Sequence, residues 1–251
     1  MGIGFDLVER VNANARDSGI VAMVDQFDNL TTHSQYRIPY ELTARYVSRG
    51  DAVLDWGCGN GHFSLLLELL GARVTGYSFE PSPASMAPSR TFTHVRGDDG
   101  EPRGIPFAME AFDCVCSVGV LEHVWETGGD EASSLREIQR ILAPKGVFLA
   151  FHFPNQSGWV EPTFRVLGIN WHFHRRRYTA AQICALWDAA ELDIIELGTY
   201  NFFPRNKVRS LPGVVRRSVL FARAFEWLDV VAGRVLSRFC TNYYVVSRKR
   251  G

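Results

Sequence analysis

Apolar and polar positions between residues 51 and 153 follow a repeating pattern of short apolar runs, turns and longer segments of helical period. Such alternation is typical of parallel β-strands joined by crossover helices. The helix before the fifth run is predicted to end ahead of Pro144, because proline cannot continue a helix. The apolar runs predict five strands: Ala52–Trp56, Arg73–Tyr77, Thr93–Arg96, Phe112–Ser117 and Gly146–Phe153.

The two ends of the chain have different patterns. Helical periodicity over Val8–Val47, with a polar interruption at Asn29–His33, predicts an N-terminal helical cap. Beyond residue 153 the chain is mostly helical, and two further apolar runs predict strands at Asp193–Leu197 and Asn242–Ser247. We expect one domain over residues 1–251, made of a cap (1–50), a core (51–153) and a substrate-side lobe (154–251).

The composition is compatible with a protein of a reducing cytoplasm. With 46% hydrophobic residues among 251, the chain can bury a large core. Its five cysteines are scattered without C-x-x-C spacing, and no apolar stretch reaches the roughly 18 residues of a spanning helix. Charged residues occur within the first ten positions, so we expect no signal peptide, no membrane span and a cytoplasmic location.

A glycine-rich loop follows the first predicted strand. The strand ends in Asp55, and Gly57, Gly59 and Gly61 then lead into a leucine-rich helix. Glycines let a ligand approach the backbone, and a helix N-terminus attracts negative charge. A dinucleotide fingerprint would place a third glycine where His62 stands, and the Lys-Ser/Thr pair of a phosphate-binding P-loop is absent. A nicotinamide or ATP site is therefore disfavoured.

Further strings follow this loop in a recognisable order. They are Tyr77-Ser78-Phe79-Glu80-Pro81, Gly97-Asp98-Asp99-Gly100, Phe112–Val124 and Leu135–Val147. Together with Val53–Gly61, they resemble the motifs of class I S-adenosylmethionine-dependent methyltransferases, and Phe112–Val124 is similar to the string of the ubiquinone- and menaquinone-pathway group. The resemblance implies an α/β, Rossmann-like fold. Its seven-stranded, mostly parallel sheet would end in an antiparallel strand, with helices on both faces, an N-terminal helical cap and a helical C-terminal insertion.

The resemblance also implies a cofactor, S-adenosylmethionine, with S-adenosylhomocysteine as the product. In that family the loop wraps the methionine part of the cofactor, which here involves Asp55, Gly57, Cys58, Gly59 and Gly61. An acid after the second strand meets the ribose in relatives. The usual position holds Ser78 in this chain, so we expect Glu80, followed by Pro81, to take that part.

The remaining cofactor contacts come from three other segments of the chain. By the same resemblance, Asp98, Asp99 and Gly100 are expected at the adenine. Ser117, Val118 and His123 are expected beside the cofactor, after the fourth strand. Arg37 of the cap is expected to reach the cofactor carboxylate, with a surface arginine as the alternative.

Histidines are the candidate proton acceptors. The cofactor's sulfonium is a strong methyl donor, so alignment of the nucleophile and exclusion of water matter most. An oxygen nucleophile would still benefit from a base that titrates near neutral pH. The candidates are His123, His152, His172 and His174, each with a structural role as the alternative. Beside three arginines, His172 and His174 could instead bind an anionic substrate group.

No metal is expected. Some quinone-pathway relatives carry a carboxylate for a metal three residues ahead of the Glu122-His123 pair, and this chain has Gly119 at that position.

The C-terminal lobe is basic and amphipathic. From Asn201 onward it holds eleven Lys or Arg residues but only two acids, Glu226 and Asp229. An apolar stripe recurs at helical spacing and is expected to pack on the sheet or to cover the active site: Phe221, Phe225, Leu228, Ala232, Val235 and Phe239. The alternative is peripheral contact with a membrane through residues 205–240. No nucleic-acid partner is expected, because the motifs of DNA methyltransferases are missing.

The sequence therefore predicts an S-adenosylmethionine-dependent methyltransferase that methylates an oxygen of a small-molecule, glycan or lipid-linked acceptor. Two alternatives stay open. One is a nicotinamide-dependent oxidoreductase, and the other is a methyltransferase-like protein that binds the cofactor or a partner without turnover. The oligomeric state is not predicted.

Overall fold

A seven-stranded mixed sheet forms the centre of the computed structural model, which describes residues 3–24, 27–98 and 104–251. Its strands are β1 Ala52–Trp56, β2 Arg73–Ser78, β3 Thr93–Arg96, β4 Phe112–Val118, β5 Leu142–Pro154, β6 Leu192–Tyr200 and β7 Asn242–Lys249. The order across the sheet is β3-β2-β1-β4-β5-β7-β6. Strand β7 is antiparallel to both of its neighbours, and the other pairs are parallel. The predicted α/β fold with an antiparallel last strand is confirmed.

The helices lie between and around these strands. They are α1 Ile3–Asp17, α2 Leu30–His33, α3 Arg37–Tyr46, α4 His62–Leu69, α5 Glu131–Ile141, α6 Val160–Val166, α7 Ala180–Ala189, α8 Gly213–Arg216 and α9 Val219–Val235. Two of them begin with the caps that their sequences favour. The Asp130 carboxylate accepts from the backbone N–H of Ser133 at α5, and Thr179 forms a capping box with Gln182 at α7.

Each central strand divides its side chains between two apolar cores. Along β4, Cys114 and Cys116 face one core and Val115 faces the other, as the twofold period of a strand requires. Helices α1, α3 and α4 cover the first core, and α5 and α7 cover the second. Helices therefore lie on both faces, as predicted.

Two details differ from the prediction. Strand β5 begins at Leu142 rather than at Gly146, because Leu142 pairs with Phe112 before a register shift, after which Val147 lies opposite Cys114. The strands of the lobe complete the sheet of the core, and the proposed boundaries at residues 50 and 153 stay predictions. Within the described ranges, no helix has the length and apolar character to cross a bilayer.

The apolar stripe predicted for the C-terminal lobe does not pack as a unit on the sheet. The residues that α9 buries are Ala222, Glu226 and Asp229, whereas Leu228 and Val235 are 51% and 77% exposed. The packing prediction was wrong for these apolar positions. The physical reason is electrostatic: both acids point inward to buried arginine partners, which turns much of the apolar surface of the helix outward.

Candidate active site

The glycine loop joins β1 to α4 and has the backbone that its glycines allow. Gly57, Gly59 and Gly61 have φ values of +79°, +47° and +80°, in the left-handed region. A Cβ at Gly57 would lie 2.3 Å from Val120, and one at Gly61 would lie 2.6 Å from Met86. A Cβ at Gly59 would have no atom nearer than 3.9 Å. Two glycines therefore permit close packing, and the third borders open space that a ligand can enter.

The loop is fastened to its neighbours on both sides. The backbone N–H groups of Gly57 and Cys58 donate to the carbonyl of Tyr77, over 2.8 and 3.1 Å. The Asp55 carboxylate accepts from Ser64 Oγ at 2.6 Å, which links the end of β1 to α4. Burial raises the pKa of Asp55 to about 6. Asp55 thus holds the loop in place from beneath.

The residues expected at the ribose lie at the carboxyl end of β2. Ser78 Oγ donates to the backbone carbonyl of Glu80 at 3.2 Å and lies 3.1 Å from His94 Nε2. Glu80 and Pro81 are exposed beyond the strand. Ser78 therefore shapes the turn that carries Glu80, and the ribose contact stays a prediction.

The adenine prediction falls partly outside the structure. Asp98 is exposed shortly after β3. Burial raises the pKa of the Tyr77 phenol, and the charge of Asp98 raises it further. Asp99 and Gly100 lie outside the described residues. The expected role of these three positions stays a prediction.

A cavity of about 840 Å³ opens where β4 and β5 end. In the sheet, Ser117 lies beside Trp56, and Val118 leads into the turn that places Val120 against Gly57. The cavity is lined by residues of the cap, the core and the lobe, among them Tyr36, Val118, Glu122, His152, Asn201 and Lys207. Since Val120 contacts the loop, the loop and the cavity adjoin. Ligands of open α/β sheets bind at this edge.

Glu122 is a buried acid on the wall of this cavity. It lies in the 3₁₀ turn Leu121–Thr127, which follows β4, and is 4% exposed. Its Oε2 has no hydrogen-bond partner among the residues that the structure describes. Burial raises the pKa of Glu122 to about 8, with a smaller contribution from the charge of Glu126. An uncompensated buried carboxyl group is costly, which makes Glu122 a candidate for contact with a ligand.

His152 has a comparable environment on β5. Its backbone has φ +61° where the β5–β7 ladder is irregular, and its N–H donates to Tyr200 Oη at 2.8 Å. Asn242 Nδ2 donates to Nδ1 of His152 at 3.1 Å, so the proton of the neutral His152 ring lies on Nε2. That buried Nε2 has no partner within the described ranges, and burial lowers the pKa of His152 to about 3. This arrangement favours a hydrogen-bond donor and disfavours the predicted base.

The other three candidate histidines meet at one side of the cavity. The ring centroids of His123 and His172 are 5.6 Å apart, and those of His172 and His174 are 5.1 Å apart. His123 Nδ1 pairs with Glu126 at 2.8 Å, and His174 Nδ1 pairs with Glu161. The sequence named these histidines separately, and the structure brings them together.

Arg37 of the cap pairs with two acids. Its Nε donates to Glu226 of α9, and its Nη1 donates to Glu41 over 3.3 Å. Glu226 also pairs with Arg205, N to O 2.6 Å, and Arg205 donates to Asp229 at 2.8 Å. The buried acid of α9 therefore holds the Arg37 guanidinium, and the expected contact of Arg37 with the cofactor carboxylate stays a prediction.

Sequence reasoning missed the cap's contribution to the cavity. The Tyr36 ring lies 4.6 Å from the ring of His62 and 5.1 Å from that of His152, so it bridges the glycine-loop helix and β5. Glu122 was also not predicted as a site residue. The sequence feature that could have indicated Glu122 is the position of an acid shortly after an apolar strand, at the edge of the sheet where ligands bind.

The sheet and its glycine loop define a Rossmann-like fold, and the adjoining polar cavity lies where proteins of such open α/β sheets bind their ligands. Residues 54–150 match the model of a family described as a methyltransferase domain. This segment of the chain therefore resembles a methyltransferase domain.

Curated relatives agree with this match. A "probable S-adenosylmethionine-dependent methyltransferase" of Mycolicibacterium smegmatis is 27% identical over 168 residues, which cover 66% of this chain and 62% of that protein. The ubiquinone biosynthesis O-methyltransferase of Aeromonas salmonicida is 27% identical over 168 residues, covering 62% of this chain and 68% of that protein. The predicted resemblance to S-adenosylmethionine-dependent methyltransferases is confirmed, and the chain spans less than two thirds of the length of the first of these relatives.

Solved structures agree with the fold. A methyltransferase chain in complex with the Haloferax volcanii Trm112 methyltransferase activator has a TM-score of 0.61 at 18% identity, and the similarity covers 97% of this chain and 98% of that chain. The family match favours a methyltransferase over the alternative of a nicotinamide-dependent oxidoreductase.

Proposed function

We propose that this protein transfers a methyl group from S-adenosylmethionine to a hydroxyl oxygen of a small or lipid-linked acceptor bound in the 840 Å³ cavity. The observation that carries the proposal is the contact between the glycine loop and the turn after β4, since it puts the cofactor loop beside the cavity. S-Adenosylmethionine supplies an activated methyl group, so the protein must chiefly orient the acceptor and exclude water.

Two buried groups that have no partner among the residues the structure describes are suited to orient a hydroxyl. Glu122 Oε2 can accept the hydrogen of the acceptor, and His152 Nε2–H can donate to an acceptor oxygen. A hydroxyl both donates and accepts, so it can satisfy the two groups together, whereas a protonated amine has no lone pair for His152. This complementarity supports oxygen as the methylated atom.

The cofactor part of the proposal is tested with Gly59→Ala. A methyl group at Gly59 meets no protein atom within 3.9 Å but enters the space assigned to the cofactor. We expect S-adenosylhomocysteine binding, measured by calorimetry, to weaken at least about tenfold, which is about 1.4 kcal/mol. Gly19→Ala is the control, because Gly19 also has a positive φ and no neighbour within 4 Å but lies outside the loop. Equal affinity in Gly59→Ala and the wild type would contradict the cofactor placement.

The acceptor part is tested by transfer of a labelled methyl group from S-adenosylmethionine into a cell extract, followed by identification of the labelled product. Glu122→Leu and His152→Phe should label at least about tenfold less product, because each loses a hydrogen bond made in the cavity. Both variants should still bind S-adenosylhomocysteine. Cofactor binding without any labelled product would instead support the non-catalytic alternative.

We also propose that the lobe contacts an anionic membrane surface. Three apolar side chains on α9 are largely exposed: Leu220 at 79%, Trp227 at 61% and Val235 at 77%. The two acids of residues 201–251 are buried in ion pairs, so the charge that this segment exposes is basic. Arg217, Arg234 and Arg238 are exposed in this region. An apolar face flanked by arginines suits an interface rich in acidic lipid.

Sedimentation with vesicles tests this surface. We expect binding to phosphatidylglycerol vesicles and little binding to phosphatidylcholine vesicles. Binding to the phosphatidylglycerol vesicles should weaken at about 0.5 M salt, because added salt screens surface charge. The double variant Leu220→Ser with Trp227→Ser should bind less, and Val166→Ser, on the 86% exposed Val166 of α6, should bind like the wild type. If the exposed face of α9 instead joins two copies of the chain, light scattering will show a dimer that the double variant dissociates.

A further inference from the structure

Three histidines from two distant segments converge at one point of the cavity wall. His123, His172 and His174 each offer a ring nitrogen, and these three nitrogens lie within 4.8 Å of one another. His123 lies in the turn after β4, whereas the other two lie in the loop that precedes α7. All three line the cavity described above.

The local backbone explains the pairing within the loop. His172 and His174 are two residues apart in a segment without helical structure. Alternate residues of an extended chain point to the same side, so both rings can face His123. The His172–His174 and His123–His174 ring centroids are 5.1 and 5.9 Å apart.

Carboxylates orient two of these rings from outside the cluster. Glu126 Oε1 pairs with Nδ1 of His123 at 2.8 Å, and Glu161, which is 4% exposed, pairs with Nδ1 of His174. A carboxylate at Nδ1 fixes the proton there and leaves Nε2 as a free electron-pair donor. This carboxylate–histidine arrangement is the usual outer contact of histidines that bind metal ions.

We propose that His123, His172 and His174 bind a divalent transition-metal ion of the Zn²⁺ type. Three imidazole nitrogens favour zinc, copper or nickel over magnesium, which prefers oxygen ligands. Zn–N bonds of about 2.0–2.1 Å in a tetrahedron place ligand nitrogens about 3.3 Å apart, so binding needs a closure of about 1.5 Å or less. The loop before α7 supplies two of the three ligands and can make that movement as one piece.

The charges around the cluster favour a cation over the anionic substrate group considered from the sequence. Glu126 and Glu161 pair with two of the rings, and Glu122 Oε1 lies 4.0 Å from His123 Nε2. The carboxylates of Glu126 and Glu161 would repel a phosphate. Three protein ligands leave the fourth position of a tetrahedral ion open toward the cavity, where an acceptor oxygen can bind. This last role rests on the proposed function, but metal binding itself does not.

The test is metal binding by the full chain after treatment with a chelator. Calorimetric titration with Zn²⁺ should show one ion per chain, and Co²⁺ should give the strong visible absorption of a tetrahedral complex. Mg²⁺ should give neither signal. The double variant His172→Ala with His174→Ala should lose stoichiometric binding, whereas His94→Gln, which changes a histidine of β3, should keep it. Glu161→Gln should bind about 10–100-fold more weakly, because it loses the charge that orients His174.

The outcomes separate the metal site from the methyltransferase activity. Wild-type protein that binds no Zn²⁺, or a double variant that binds it unchanged, would overturn the metal site. Binding of inorganic phosphate in place of Zn²⁺, lost in the same variant, would also overturn it and assign the cluster to an anion. Calorimetry with S-adenosylhomocysteine on the same samples reports on the cofactor site alone, so the two proposals fail independently.

Discussion

Replacement of Glu226 should reveal how strongly α9 is fixed to the rest of the protein. Glu226 is 1% exposed and pairs with both Arg37 and Arg205. Arg205 is itself 4% exposed, so Glu226→Ala leaves a buried guanidinium with Asp229 as its remaining acid. Removal of one partner from a buried ion pair costs about 3–5 kcal/mol, because the other charge stays desolvated.

The magnitude expected here is near the lower end of that range. Asp229 keeps one bond to Arg205, and Arg37 is 19% exposed, so water can solvate part of it. We expect Glu226→Ala to lower the free energy of unfolding by about 3 kcal/mol, which is about 6–12 °C in Tm for a chain of this size. Glu226→Gln keeps hydrogen-bonding capacity and should lose less.

Urea unfolding followed by circular dichroism measures this loss, with Glu9→Ala as the matched control. Glu9 pairs with Arg223 of the same helix, but the two side chains are 29% and 45% exposed, and an exposed pair contributes about 0–1 kcal/mol. A loss in Glu226→Ala as small as that in Glu9→Ala would refute the view that buried charge anchors α9.

Three further predictions concern the core and its turns. Burial raises the pKa of Asp55 from 3.8 to about 6, so its carboxyl favours the folded state most at low pH, and this contribution is lost as pH rises toward 6. Asp55→Asn can still accept from Ser64. Its free energy of unfolding, relative to that of the wild type, should therefore rise by about 3 kcal/mol between pH 4 and pH 7. If urea unfolding shows the same difference between variant and wild type at every pH in that range, this reasoning is contradicted. Gly57→Ala should lower Tm by several degrees, because the new Cβ would lie 2.3 Å from Val120. An unchanged melting curve would disprove the packing argument. Thr179→Ala should cost about 1 kcal/mol in urea unfolding through the lost cap of α7, whereas no measurable loss would mean that the cap does not stabilise the fold.

The core of the fold could be predicted because its local signals agree with its tertiary structure. The strand Ala52–Trp56 was predicted with the bounds that the structure shows, since an apolar run followed by Gly57 leaves few alternatives. The antiparallel direction of the last strand was predicted from the family resemblance. In contrast, the early start of β5 depends on Phe112, a long-range partner that periodicity does not report.

The candidate site could be predicted only in parts. The loop glycines were visible in the sequence, whereas the convergence of His123 with His174 depends on how a loop 51 residues later returns to the sheet. The sequence assigned the apolar positions of α9 to the interior because hydrophobicity usually decides burial. Here the buried Arg205 pairs with both acids of α9, and these ion pairs determine which side of the helix faces inward.

The position of β7 has a consequence for how the chain assembles during synthesis. Strand β7 separates β5 from β6, although it follows both in the chain. Until β7 emerges from the ribosome, β5 has an open edge and β6 has no neighbour to join. Open strand edges invite pairing with other chains, so the nascent polypeptide is exposed to misassembly until this insertion completes the sheet.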